Sequence, residues 1–140
     1  MKRICVIDGQ GGRIGATIIS SLRICYREAI EISALGTNSV ATAQMLKAGA
    51  NRGATGENPV VRTVPNVDLI LGPIAITWPN AMMGEVSSLM AEAITSSPAP
   101  KVLIPLHRES IFLVGASTEP LPHLIDTLLG QYTKEILKDV

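Results

Sequence analysis

The sequence predicts a three-layer α/β sandwich, a mostly parallel sheet of about five strands with helices on both faces and an antiparallel strand at the end. Short apolar runs of strand length alternate with stretches whose apolar residues recur at helical spacing. The first of these runs also leads directly into a glycine-rich turn, and later runs are closed by glycine or proline.

With 140 residues the chain has the length of one domain, residues 1–140, too short for a cofactor domain beside a separate substrate domain. Any pocket is then small or shared between subunits. Twelve basic and twelve acidic residues cancel, which leaves no summed positive field for nucleic acid or an anionic lipid surface. Aromatic residues make up 3% of the chain, so the stacking surfaces of single-strand binders are missing as well. No nucleic acid and no membrane partner is expected, since Gly, Pro, Asn or charged residues interrupt every apolar run before it reaches spanning length. The amino terminus is already strand-like rather than leader-like, which makes the expected location cytoplasmic. Cys5 falls in a strand pattern and Cys25 in a helical one, with no thiol or histidine at ligand spacing. Both read as buried structural thiols, and no metal site is expected.

Residues 3–7 are the first strand, ending at Asp8 and Gly9. Ile14, Ile18, Leu22 and Cys25 then recur at helical spacing, so residues 12–27 form a helix with one apolar stripe for the sheet. Residues 30–35 are a second strand closed by Gly36, after which Ser39 caps a helix to about residue 48. Segment 49–59, GANRGATGENP, reads as a loop longer than a plain connector. Residues 67–71 are the next strand, stopped by Gly72 and Pro73. Residues 60–64 are strand-like too, but Pro65 and Asn66 alone separate them from that strand, and a parallel crossover needs about a dozen residues. They are expected as an edge segment. Asn80 caps a third helix ending near Ser96, with Met83, Val86, Met90, Ala93 and Ile94 on its apolar face. Residues 101–104 are the fourth strand, and 111–114 a fifth that returns antiparallel through a hairpin. The last helix covers 121–138, its stripe formed by Leu121, Leu124, Ile125, Leu128, Leu129, Tyr132 and Ile136.

Parallel sheets of this kind bind ligands at the carboxyl ends of the strands, where neighbouring connections leave toward opposite faces. There the chain reads Asp8-Gly9-Gln10-Gly11-Gly12-Arg13-Ile14-Gly15. Gly9 and Gly11 permit a tight turn with positive φ and a close approach of backbone to ligand, while Gly12 and Gly15 permit close helix packing. The helix that starts here adds unpaired N–H groups and a partial positive charge, so the turn is expected to hold a phosphate. The spacing follows G-x-x-G-x-x-G through Gly9, Gly12 and Gly15, because Ile14 stands where G-x-G-x-x-G requires glycine. A turn that merely packs helix on sheet is the alternative.

The place after the second strand that an acidic ribose ligand would take holds Gly36, Thr37, Asn38 and Ser39 instead. These are either donors to a 2′-phosphate or a helix cap. Gly72, Pro73 and the loop to Asn80 face the glycine turn if the strands are neighbours, and Trp78 either stacks on a planar ring or packs in the core or an interface. His107 and Arg108 follow the fourth strand at the same edge. The histidine is a candidate acid or base and the arginine a clamp for phosphate or carboxylate; a solvated turn is the other reading. Glu57 reads as a loop cap or a ribose ligand, and His123 as a surface or packing residue.

The stretch GQGGRIG, residues 9–15, resembles the phosphate loop of dihydrodipicolinate reductases, a likeness that covers only the loop and implies NAD or NADP. The segments IDGQGG (7–12), ALGTN (34–38), AGAN and GATGEN (48–58), LGPIAI (71–76) and SSPAPK (96–101) together resemble a family of short bacterial proteins known as a domain of unknown function. That resemblance implies a fold rather than a reaction.

The expectation is therefore a Rossmann-like nucleotide-binding domain, with NAD or NADP the leading ligands and a small oxidoreductase using His107 as its enzymatic form. A nonenzymatic regulatory or scaffold protein sensing a small anion is the alternative. Its apolar helix surface, including Met82, Met83 and Met90, suits a homo-oligomer.

Overall fold

The computed structural model describes residues 1–116 and 118–140. Its centre is β1 (Lys2–Asp8), in which Ile4 and Val6 pack on one face and Cys5 and Ile7 on the other. An unbroken apolar run is what a strand covered on both sides requires. β2 (Ile30–Gly36) and β4 (Leu69–Pro73) pair with it in parallel, placing Asp8 opposite Gly36 and Val6 opposite Leu71. The short strands β3 (Arg52–Thr55) and β5 (Lys101–Ile104) form the edges, giving the order 3-2-1-4-5.

On one face lie α1 (Arg13–Tyr26), α2 (Ser39–Lys47) and the final helix, whose Ile18, Leu22, Met45, Leu124 and Leu128 share a core with Ile4, Val6 and Leu71. On the other lie α3 (Glu57–Thr63) and α4 (Ser88–Ser96), whose Val60, Met90 and Ile94 pack with Cys5, Ile7 and Ile70. The result is the Rossmann-like three-layer sandwich that the sequence predicts. Because β1 passes to α1 on one face and β4 toward α4 on the other, a crevice opens between their carboxyl ends.

Several expectations are corrected. The sheet is entirely parallel: residues 111–114 form no strand and make no hairpin with β5. Phe112 and Val114 project from the fold with no facing layer, and a turn closes from Ala116 N–H to the Leu113 carbonyl at 3.1 Å. Segment 49–59 is not a loop throughout, since it contains β3. Bonds from Asn51 N–H to the Ile32 carbonyl (2.8 Å) and from Gly56 N–H to the Gly36 carbonyl (2.9 Å) clamp this strand to β2 at both ends. Residues 60–64 are not an edge segment; they belong to α3 and the turn after it. Val60 and Val64, four apart, are both buried, and the helix supplies the crossover that a parallel β3-to-β4 link demands.

Ser87, not Asn80, caps α4, its hydroxyl accepting from Met90 N–H at 3.2 Å. Asn80, Met82, Met83 and Gly84 instead take left-handed φ values of 69°, 57°, 58° and 89°, so no helix can run through them. Asn38, one residue before the expected Ser39, caps α2 by accepting from Ala41 N–H at 2.8 Å. Cys25 is exposed, because the buried stripe of α1 runs through Gly15, Ile18, Ile19 and Leu22. The final helix comprises α5 (Leu121–Thr127), a π-helical stretch (Leu128–Thr133) and α6 (Lys134–Ile136). The wider π turn shifts the helical phase, burying Thr133 and leaving Tyr132 half exposed. Among the described residues, no helix is long and apolar enough to cross a membrane.

Candidate functional site

A cleft of about 980 Å³ occupies the crevice. Asp8, Gly9, Gln10, Gly11, Gly12, Arg13 and Ile14 form one wall. Pro73, Ala75, Met82 and Met83 follow β4, while Leu106, His107, Arg108 and Glu109 follow β5, and Pro120 with Leu121 close the side.

The left-handed residues of the first turn are Gln10 (φ 49°) and Gly12 (φ 72°), rather than Gly9 and Gly11. A Cβ on Gly12 would lie 2.8 Å from Ala41 Cα, so this glycine is needed both for its backbone and for the approach of α2. Gly9 is needed for space, since a Cβ there would come within 2.3 Å of Thr37 Oγ1. Gly11 meets nothing within 4 Å.

Two carboxylates engage most of the amides of this turn. Asp8 is buried, and its Oδ1 and Oδ2 accept from Gly9 N–H and Gly15 N–H, each at 2.7 Å. Burial pushes its carboxyl above the ordinary aspartate range, opposed by the amides of Gly15, Gly9 and Ile14 and assisted by the charge of Glu85. The Oε1 of Glu85 accepts from Gln10 N–H (2.8 Å), Thr37 Oγ1 (2.6 Å) and Asn38 Nδ2 (2.9 Å). Burial alone would raise the Glu85 carboxyl, but these three donors together hold it below the usual glutamate range. Gly12 N–H returns to the Gly9 carbonyl at 2.9 Å. Among the described residues, Gly11 N–H and Arg13 N–H are left without an acceptor, and the guanidinium groups of Arg13 and Arg108 without an ion-pair partner.

The cleft thus gathers Asp8 through Ile14, Pro73, His107 and Arg108. Gly36, Thr37, Asn38, Gly72, Trp78 and Asn80 lie outside its lining. Thr37 and Asn38 direct their donors to Glu85, and Asn80 turns its backbone into the tight loop before α4. Trp78 is half-buried against the core beneath α4 and meets the His107 ring edge-on, with centroids 4.7 Å apart. His107 Nδ1 accepts from Glu109 N–H at 3.1 Å, which leaves Nε2 as the nitrogen able to exchange a proton with a ligand. Glu109 Oε1 in turn accepts from Met82 N–H at 2.7 Å, tying the segment after β5 to the loop after β4. Glu57 accepts from the Ser87 hydroxyl and so braces α3 against the start of α4; His123 is exposed.

Sequence reasoning missed Glu85 and Glu109. Glu85 is 75 residues from Gln10 and falls within the span expected as the third helix, whereas α4 begins only at Ser88. No local spacing signals either contact.

Fold and cleft define a parallel α/β sandwich with a crevice at its topological switch point. The family profile described as "Domain of unknown function (DUF3842)" matches residues 3–137, and the chain belongs to that family, as its sequence resemblance implies. Among solved structures it is similar to a dodecameric FMN-dependent Ubix-like decarboxylase from Escherichia coli O157:H7, at 13% identity and a TM-score of 0.47, covering 94% of both chains. It is also similar to a nucleoside-diphosphate-sugar epimerase from Pseudomonas aeruginosa, at 13% identity and a TM-score of 0.43, covering 99% of this chain and 49% of the other. No curated protein gives a significant match.

Proposed function

We propose that residues 1–140 serve as one binding domain for a small phosphate-bearing metabolite, in the first place a nucleotide, held between the β1–α1 turn and the segment after β5. One observation carries this reading: the amides of Gly11 and Arg13, without an acceptor among the described residues and at the positive end of α1, open onto a cleft of about 980 Å³ that the Arg13 and Arg108 side chains, without an ion-pair partner among those residues, also line. The amides and the planar guanidinium forks suit phosphate oxygens. Met82, Leu106 and Leu121 offer an apolar wall for the body of the ligand. NAD and NADP are the nucleotides implied by the resemblance of residues 9–15 to the phosphate loop of dihydrodipicolinate reductases. In an enzymatic form of this reading, His107 acts as acid or base through Nε2.

The test is thermal unfolding of the chain with inorganic phosphate, AMP, FMN, NAD or NADP. A bound ligand raises Tm, with about 1.4 kcal/mol of added stability for each tenfold excess over Kd. Tm unchanged across the panel removes the reading.

A nonenzymatic assembly is the second reading. It is favoured by the apolar side chains of Phe112, Val114 and Met83, which are 94%, 105% and 95% exposed. Light scattering showing a monomer at all concentrations would dismiss it.

A further inference from the structure

We infer that Glu85 is a specificity-determining residue that closes the adenosine half of the site and restricts the cleft to ligands carrying a single nucleotide half. This rests on the reading of the cleft as a nucleotide-phosphate site.

In a sheet of this strand order a dinucleotide lays its pyrophosphate on the glycine turn and its adenosine ribose at the end of the second strand. Here that place is bounded by Gly9, Gln10, Thr37 and Asn38, and it is already filled. Oε1 of Glu85 takes the Gln10 N–H, the Thr37 hydroxyl and the Asn38 amide together, at 2.6–2.9 Å. Asn38 Nδ2 is further tied to the Gln10 carbonyl at 2.9 Å, which leaves the three groups as one closed knot. The space above the first glycine is gone as well. A single carbon added to Gly9 would stand 2.3 Å from Thr37 Oγ1, 2.6 Å from Met82 Sδ and 2.9 Å from Glu85 Oε1. A sugar ring needs far more room. The donors that would have met a 2′-phosphate face a carboxylate instead, and a phosphate brought there is repelled. On the other flank a carbon added to Gly11 meets nothing within 4 Å, so one phosphate and its attached base or ring enter from that side without displacing Glu85 or Met82.

The experiment is calorimetric titration of the full chain and of Glu85→Ala with AMP, FMN, NAD and NADP, with circular dichroism to verify folding. Glu85→Asp, one methylene shorter, carries the test if the alanine variant does not fold. The expected result is that the wild-type chain binds at least one mononucleotide at least tenfold tighter than either dinucleotide, and that Glu85→Ala narrows this ratio by at least tenfold through a gain in dinucleotide affinity. Wild-type chain that binds NAD or NADP as tightly as any mononucleotide, or a ratio unchanged by removal of the carboxylate, overturns the role of Glu85 and leaves the phosphate site standing. If no probe binds either protein, the phosphate site itself is refuted and the role of Glu85 falls with it.

Discussion

On the β2 side of the first turn the Gln10 amide, the Thr37 hydroxyl and the Asn38 side-chain amide converge on Glu85, and Gly12 is pressed against Ala41. On the β4 side, two residues away, Gly11 faces empty space and the Arg13 amide has no acceptor among the described residues. Both flanks are made from one glycine-rich segment at one helix terminus, yet one is part of the packed interior and the other is a mouth. Glycine in a phosphate-loop pattern therefore does not by itself mark a contact to ligand. What decides is whether a side chain from a distant loop has already taken the amide.

The contrast can be broken by substitution, and Gly12→Ala should have the largest effect. The new Cβ combines a left-handed backbone with a 2.8 Å approach to Ala41 Cα, so a loss of about 2–5 kcal/mol is expected in urea unfolding. Asp8→Asn comes next, at about 1–3 kcal/mol near neutral pH, because an amide offers one acceptor to two N–H groups. Its pH signature has a definite sign. The folded carboxyl of Asp8 is raised, so in the wild-type chain its contribution is full below the ordinary aspartate range and is lost as pH rises through the raised value; the asparagine variant lacks that slope. Glu85→Ala should cost about 1 kcal/mol from its half-buried hydrogen bonds. Here the sign is opposite. The folded carboxyl is lowered, so its contribution is present above the ordinary glutamate range and is lost as pH falls through the lowered value. Gly11→Val should change stability least, by less than about 0.5 kcal/mol, while abolishing any Tm shift given by a phosphate ligand. A Gly11→Val chain that unfolds would show that the open flank is not open.

The central strands were legible because burial on both faces demands apolar runs such as Ile4–Ile7 and Leu69–Leu71, while in β2 the buried Ile30, Ile32 and Ala34 recur at every second residue. The turn between β1 and α1 was legible for the same reason that it is strained: nothing but small residues fits beside Thr37 and Ala41. β3 was hidden because Arg-Gly-Ala-Thr carries no alternating apolar pattern, and pairing with β2 alone makes it a strand. The placement of the left-handed positions was read one residue off, since Gln10 adopts φ 49° while its amide is fixed by Glu85. Both closing carboxylates, Glu85 and Glu109, come from segments without regular structure. Their partners are set by the way the loops after β4 and β5 meet, and no short-range pattern encodes that meeting.

The two thiols differ as sharply as the two flanks of the turn. Cys5 lies sealed in the middle of β1, where burial pushes its pKa up to about 12, so it stays protonated and out of reach of reagents. Cys25 sits exposed in the last turn of α1, at the far end of a helix about 20 Å long whose other end is the glycine turn. A maleimide dye therefore marks each molecule at a single defined point, remote from the cleft mouth, and the native chain needs no cysteine replacement before fluorescence can follow what enters it.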